Sequence, residues 1–416
     1  MRLTPEERAL AAGEEGPACA TAMHIVVRIG ELLGAHELVS ITSAHIDGCL
    51  YHGDSGVAFA ERLVSDAGRV RVPTTLNVGA LDLLHPRHVR ADAHRSLMAR
   101  RLMAAYVDLG CTPTWTCAPY QVGHRPQLGE HVAWGESNAI AFANSVLGAR
   151  TERYGDFLDI CCALAGRAPH AGLHRDENRL ATLVVDTAQL SPSLKARDVF
   201  YPVFGAWLGK VVGREVPVVE GLPPDVTEDQ LKALGAAASS TGAVGLFHVS
   251  GVTPEAPDTR TALGGRPPRH AIAATPHAIR EARQSLSTTA ISHIDAVALG
   301  SPHFSREEFE RLLQLTHGKQ LTVPTYVCTN RHVLGQLEAE GHAASLQAAG
   351  VTIVVDTCVV VTPILPDPPG VLMTNSAKFA HYAPANVGYE VVYGSLEECV
   401  ASAEAGAVQH DDTAWS

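Results

Sequence analysis

Cys117 lies on a proline-bounded loop, Thr114-Trp115-Thr116-Cys117-Ala118-Pro119-Tyr120, that follows a helical stretch. Cys328 closes the apolar run Leu321–Val327, and Cys358 follows Val351–Val355 within Asp356-Thr357-Cys358. Both runs read as buried strands, and the ends of parallel strands in one sheet converge on one edge. The two thiols are therefore expected to be neighbours although 30 residues separate them, and Cys117 can join them from its own loop. Three thiolates suit an iron–sulfur cluster with an open iron, or a zinc ion with an open position. Without a CxxC motif, spacing does not decide between these. Of the nine cysteines, Cys19, Cys49, Cys161, Cys162 and Cys399 read as core or near-surface packing, and Cys111 has no assigned chemistry.

Other polar groups gather at predicted strand ends and loops. They are Ala44-His45-Ile46-Asp47-Gly48, Thr74-Thr75-Leu76-Asn77, Glu136-Ser137-Asn138-Ala139 and Gly300-Ser301-Pro302-His303. Asn375-Ser376-Ala377-Lys378, with His381 and Tyr382, follows the run Val371–Met373. The run from Ala143 to Asp156 mixes Asn144, Ser145, Arg150, Glu152 and Arg153 with small residues. Buried polar groups need partners, so a single Asn or Ser reads as part of a structural network. A whole run of them is harder to explain by packing. With 21 histidines, a lone one carries little information.

The elements that must position these groups alternate strand and helix. Thr4, Pro5, Glu6 and Glu7 predict a capped first helix, and Ala20–Leu33 a second that stops at Gly34. Strands are expected at Leu38–Thr42, Val70–Val72, Leu183–Val185, Val216–Val219, Val244–Val249 and Ala296–Leu299, besides the two that lead to Cys328 and Cys358. Glu228–Ala238, Arg306–Leu315 and His332–Ala349 carry helical periodicity. This alternation predicts α/β layers with mainly parallel sheets, whose ligands gather at strand C-terminal ends. No repeat or Gly/Ser linker divides the chain. Gly251–Pro276 reads as a surface loop or an active-site lid, and Gln409–Ser416 as a frayed tail.

Composition narrows the function. Hydrophobic residues make up 46% and charged residues 18% of 416, enough for a large core and against wholesale disorder. A net charge of −12 argues against a nucleic-acid partner and for a small molecule. The N-terminus lacks the apolar region of a signal peptide, and no apolar run approaches bilayer length, so neither a membrane nor export is expected. The expected location is cytoplasmic, with reduced thiols.

Several irregular motifs resemble the large subunit, or large domain, of aconitase X, a branch of the aconitase superfamily. They are PTTLNVGAL (73–81), TCAPYQ (116–121), AWGESNA (133–139), ANSVLGARTERYGDFLD (143–159) and GLHRDEN (172–178). VTPEA (252–256), GSPH (300–303), DTC (356–358) and NSAKFAH (375–381) continue the resemblance. It runs from about Leu3 to Gly406, leaving 407–416 as a tail, and implies an aconitase-like large portion built of two or three α/β subdomains.

The resemblance implies an iron–sulfur-dependent dehydratase of a small hydroxy acid. The leading substrate is cis-3-hydroxy-L-proline, giving Δ1-pyrroline-2-carboxylate, and mevalonate 5-phosphate is the alternative. A ligand- or partner-binding subunit without catalysis is the reading from another class. The cluster is expected to be 2Fe–2S, with 3Fe–4S and 4Fe–4S as the other options, held by Cys117, Cys328 and Cys358. The archaeal branch of the family carries a cysteine at the place of Ser301, and a serine is a poor ligand, which favours the hydroxyproline type. Ser145, Lys378 and His381 are the candidate catalytic residues. Asn77, Asn138, Arg150, Arg153 and Asn375 are the candidate substrate-binding residues. The family also carries a small swivelling β-rich domain, fused or as a separate subunit. The chain is expected to be too short to hold it, so a small swivel subunit is the expected partner.

Overall fold

The computed structural model describes residues 1–415; Ser416 lies outside the described residues. The chain divides into two compact units. Unit 1 comprises Met1–Leu81, Ala91–Leu180 and Thr253–Glu255; unit 2 comprises Asp82–Arg90, Ala181–Val252 and Ala256–Ser416.

Unit 1 opens on the helix Pro5–Ala12, where Thr4 and Glu7 form the reciprocal capping pair that the sequence predicts. The helix Pro17–Leu32 follows. Five strands belong to this unit: β1 (Leu38–Ser40), β2 (Ser43–Ile46), β3 (Thr74–Leu76), β4 (Val132–Trp134) and β5 (Arg167–Pro169). β1 and β5 form an antiparallel pair, while β3, β2 and β4 form a parallel sheet in that order. Val70–Val72 is not a strand. Its backbone bonds to the carbonyls of Leu109 and Ala163, and the ladder begins only after Pro73, which has no N–H to give.

Unit 2 holds nine strands among the described residues: β6 (Leu183–Asp186), β7 (Pro217–Glu220), β8 (His248–Val249), β9 (His270–Ala273), β10 (Ala296–Leu299), β11 (Thr325–Cys328), β12 (Val351–Val354), β13 (Val371–Thr374) and β14 (Glu390–Tyr393). They form two all-parallel sheets, ordered β8-β7-β6-β9 and β12-β11-β10-β13-β14. The larger sheet is buried with Phe309, Leu312, Leu337, Leu346 and Cys399 from the helices around it. This is the layered, mainly parallel α/β fold that the alternating pattern predicts.

Five further expectations need correction. The predicted strand Val244–Val249 shrinks to His248–Val249, and Leu321–Val327 becomes a strand only after Pro324. His332–Ala349 is two helices, Arg331–Ala339 and His342–Ala348, divided where Gly341 takes a left-handed φ of 74°. Gly251–Pro276 is not one loose loop, because it contains the helix Thr259–Ala262 and β9, which pairs with β6. The last described residues are not frayed: Trp415 is buried, with the Arg283 guanidinium 5.0 Å from its ring centroid, and Arg283 also pairs with Asp412.

Candidate active site

The strand order of the five-stranded sheet reverses between β10 and β13. Such a reversal leaves a crevice beyond the strand C-termini, where ligands bind in open α/β sheets. Four loops leave that edge. β10 runs into Gly300-Ser301-Pro302-His303, β11 ends in Cys328 itself, β12 leads to Asp356-Thr357-Cys358, and β13 leads through Asn375 to the helix Ala377–Val387, which carries Lys378. Gly300 is required here. It has φ +89°, and a Cβ on it would lie 2.2 Å from the Cys328 carbonyl oxygen.

The expected neighbours meet. The Cys358 sulfur accepts hydrogen bonds from the Cys328 thiol, the Val360 N–H and the Ser301 hydroxyl, and it lies in the field of Lys378. Burial pushes the thiol up, but these donors and the lysine charge outweigh it and hold Cys358 below the ordinary thiol value. All nine cysteines are buried and none is in a disulfide.

The shell around the pair is firmly built. Asp356 adopts a left-handed φ of 64° and is clamped by Arg331 through Nε (2.6 Å) and Nη2 (2.7 Å). His303 is fully buried and donates from Nε2 to the Thr357 carbonyl (3.3 Å). Burial pushes its pKa down to about 3, with Lys378 and Lys232 adding to the shift, so its ring is neutral. The Ser376 hydroxyl donates to the Ser301 carbonyl and accepts from the Phe379 N–H, joining the β10 loop to the helix that bears Lys378.

Unit 1 repeats the arrangement with carboxylates. Asp47 follows β2, Asn77 follows β3, and Gly135-Glu136 follow β4. The Asn77 amide donates to Asp47, and its Oδ1 is buried with no hydrogen-bond partner. The Asp47 N–H donates to Asp159 Oδ2 at 2.6 Å. Burial raises both carboxyls to about 7, with the Glu136 charge adding to the shift at Asp47. Gly135 makes room, since a Cβ there would lie 2.5 Å from Asp159 Oδ2. Asn138 donates to the Cys117 carbonyl (2.8 Å), and Trp115, two residues before Cys117, has φ 46°. Both the Cys117 and Cys358 loops therefore carry a left-handed non-glycine residue two positions before the cysteine.

The remaining candidates are placed as follows. Ser145 is buried in a π-helical turn, Ala143–Leu147, a form frequent at functional sites. Arg150 is paired with Asp176, and Arg153 is exposed. Asn375 is half-buried at the end of β13. His381 is exposed, its ring edge-on to Tyr382 and its pKa lowered by partial burial and then by Lys210. Sequence reasoning missed Asp47 and Asp159 as a pair, and Ser301 as a donor to sulfur. The motifs AHIDG and GSPH held the signal, but contacts 112 and 57 residues apart leave no local trace.

Three family models cover nearly the whole chain: Aconitase X first domain at residues 1–177, second domain at 181–284 and third domain at 294–405. The chain belongs to the aconitase X family. It is 45% identical to the cis-3-hydroxy-L-proline dehydratase of Pseudomonas aeruginosa, over 100% of this chain and 72% of the relative. It is 34% identical to the phosphomevalonate dehydratase large subunit of Methanocaldococcus jannaschii, over 96% of this chain and 99% of that one. The crystal structure of Thermococcus kodakaraensis aconitase X in its holo-form superposes with a TM-score of 0.87 at 34% identity, covering 97% of this chain and 100% of that chain. Among the described residues of this aconitase X chain, no helix is long and apolar enough to cross a membrane.

Proposed function

We propose that the chain is the large part of an iron–sulfur-dependent hydro-lyase that converts cis-3-hydroxy-L-proline to Δ1-pyrroline-2-carboxylate. The observation that carries this reading is the pair Cys328–Cys358, adjacent, unbridged and surrounded by donors that favour the Cys358 thiolate. The Cys328–Cys358 pair suits two of the ligands of an iron–sulfur cluster; Cys117 is the third that the family resemblance implies, with 2Fe–2S favoured over 3Fe–4S and 4Fe–4S. Bound there, the cluster supplies a Lewis acid for the departing hydroxyl.

The chain's own groups have distinct tasks. Lys378 offers a cation for the substrate carboxylate, and Asn77, Asn138 and Asn375 offer amide hydrogen bonds. A base takes the α-proton, hydroxide leaves C3 and is released as water, and the enamine tautomerises to the cyclic imine. Ser145 remains the candidate base from the sequence. Asp47 joins it, because a half-buried carboxyl near 7 suits proton transfer at neutral pH. Arg150 and Arg179 are already paired with Asp176 and Glu255, which suits a zwitterionic amino acid better than a phosphate dianion. Relatives of nearly equal length are named large subunits, which supports a small swivel subunit as partner, and a reducing cytosol suits the open thiols.

The test is anaerobic co-purification with the small subunit, followed by assays on cis-3-hydroxy-L-proline and mevalonate 5-phosphate. Turnover of the hydroxyproline is expected. Turnover of mevalonate 5-phosphate alone overturns the choice of substrate.

A further inference from the structure

A second cluster of ligating atoms lies in unit 2, outside the thiol site. Asp82, His85 and His88 occur in the sequence Asp82-Leu83-Leu84-His85-Pro86-Arg87-His88. A spacing of three residues matches tight 3₁₀ geometry, in which i and i+3 eclipse. The segment Pro86–His88 forms such a turn, and the rings of His85 and His88 stack with centroids 5.1 Å apart. One ligand atom from each residue lies within 4.8 Å of the others.

The carboxylate is aimed rather than free. Asp82 is fully buried, and its Oδ1 accepts the N–H groups of Leu84 (3.1 Å) and His85 (2.7 Å). Its Oδ2 faces both rings, 3.2 Å from His85 Nδ1 and 3.6 Å from His88 Nδ1. The second distance is too long for a hydrogen bond, and His88 Nδ1 is buried without a hydrogen-bond partner. A tetrahedral zinc with ligand bonds of about 2.0–2.2 Å separates its ligand atoms by about 3.3–3.6 Å. The two carboxylate-to-imidazole spacings, 3.2 and 3.6 Å, lie close to that range, and all three ligand atoms lie within 4.8 Å of one another.

We propose that Asp82 Oδ2, His85 Nδ1 and His88 Nδ1 bind a divalent transition-metal cation, zinc foremost, distinct from any cluster at Cys328 and Cys358. Two imidazoles and a carboxylate form a borderline donor set that such ions prefer over calcium or magnesium. Both histidine side chains are about a third exposed, 36% and 32%, which gives the ion a way in. Its role is positional. Asp82 Oδ2 also receives the Val355 N–H (3.3 Å), and the Leu83 N–H donates to Asp356 Oδ2 (3.1 Å). The ion would pin residues 82–90 to the end of β12, from which the Cys358 loop departs.

The test is titration of the as-isolated holoenzyme with Zn2+ by calorimetry and with Co2+ by visible absorption. One equivalent of Zn2+ is expected in the micromolar range or tighter, together with tetrahedral Co2+ bands that lack thiolate charge transfer. His88→Ala should weaken binding by about tenfold or more, and His88→Gln, which keeps most of the volume, should do the same. The double variant Cys328→Ser/Cys358→Ser should retain it. Absence of zinc binding by the wild type, unchanged binding by both His88 variants, or thiolate-to-cobalt charge transfer at that equivalent each overturns the proposal.

Discussion

The two parallel sheets of unit 2 share a topology and differ at their edges. In β8-β7-β6-β9 the order reverses between β6 and β9, as it does between β10 and β13 in the larger sheet. Yet the smaller sheet closes its own crevice. Lys195 is buried and donates to the carbonyls of Gly221 (2.6 Å) and Thr187 (3.4 Å), while the Thr187 hydroxyl donates to the Glu220 carbonyl (2.7 Å). The Thr259 hydroxyl donates to the Glu220 carboxylate and lies 3.1 Å from the Ser250 hydroxyl. In the larger sheet the corresponding loops bring two thiols, a serine hydroxyl and a half-buried lysine together. A topological switch point offers a crevice, and the loop residues decide whether it becomes a site or a plug.

Four substitutions test that contrast, in descending order of effect. Cys358→Ser and Cys328→Ser should each lower dehydration by more than about a hundredfold and remove any visible colour, measured by steady-state assay and absorption. Lys378→Met deletes one charge-assisted contact and should lower kcat/KM by roughly 10–100-fold, with fold and colour retained. Lys195→Met, at the closed edge, should cost about 1–3 kcal/mol in denaturant melts, because two carbonyls lose their donor, and leave activity nearly intact. A loss of activity as large as that of Lys378→Met would dissolve the distinction between the edges.

A further effect, no larger than that of Lys195→Met, concerns pH. His303 has its pKa lowered to about 3, below an unfolded value near 6.5. A depressed histidine contributes stability that is complete above the unfolded pKa and is lost as pH falls toward the folded one. Between pH 6.5 and 4, the wild type should therefore lose about 1–3 kcal/mol more than His303→Gln. Parallel slopes in urea melts would place the acid sensitivity elsewhere.

Much of this was legible in the sequence because it followed from local pattern and sheet geometry. Cys328 and Cys358 sit at adjacent parallel strand ends, so their meeting follows once both runs are read as strands of one sheet. The cap at Thr4 is equally local. Failures occurred where a partner distant in sequence decides the outcome. Val70–Val72 has strand composition but spends its N–H groups on the carbonyls of Leu109, a helix C-cap, and Ala163, inside a helix, and the tail at Trp415 is held by Arg283 from far upstream. Asp47 and Asp159 acquire raised pKa values mainly through burial, with the Glu136 charge adding at Asp47 and the Asp156 charge at both. The Asp-x-x-His-x-x-His spacing was visible, but its meaning depends on a 3₁₀ turn that apolar periodicity does not report.

The most direct test of the central claim is iron and sulfide analysis of the anaerobically purified wild type and Cys358→Ser, each with its small subunit and each assayed on cis-3-hydroxy-L-proline in the same preparation. Iron, sulfide and turnover should all be present in the wild type and fall together in the variant. Wild-type protein that dehydrates the substrate at full rate while free of iron would contradict the account.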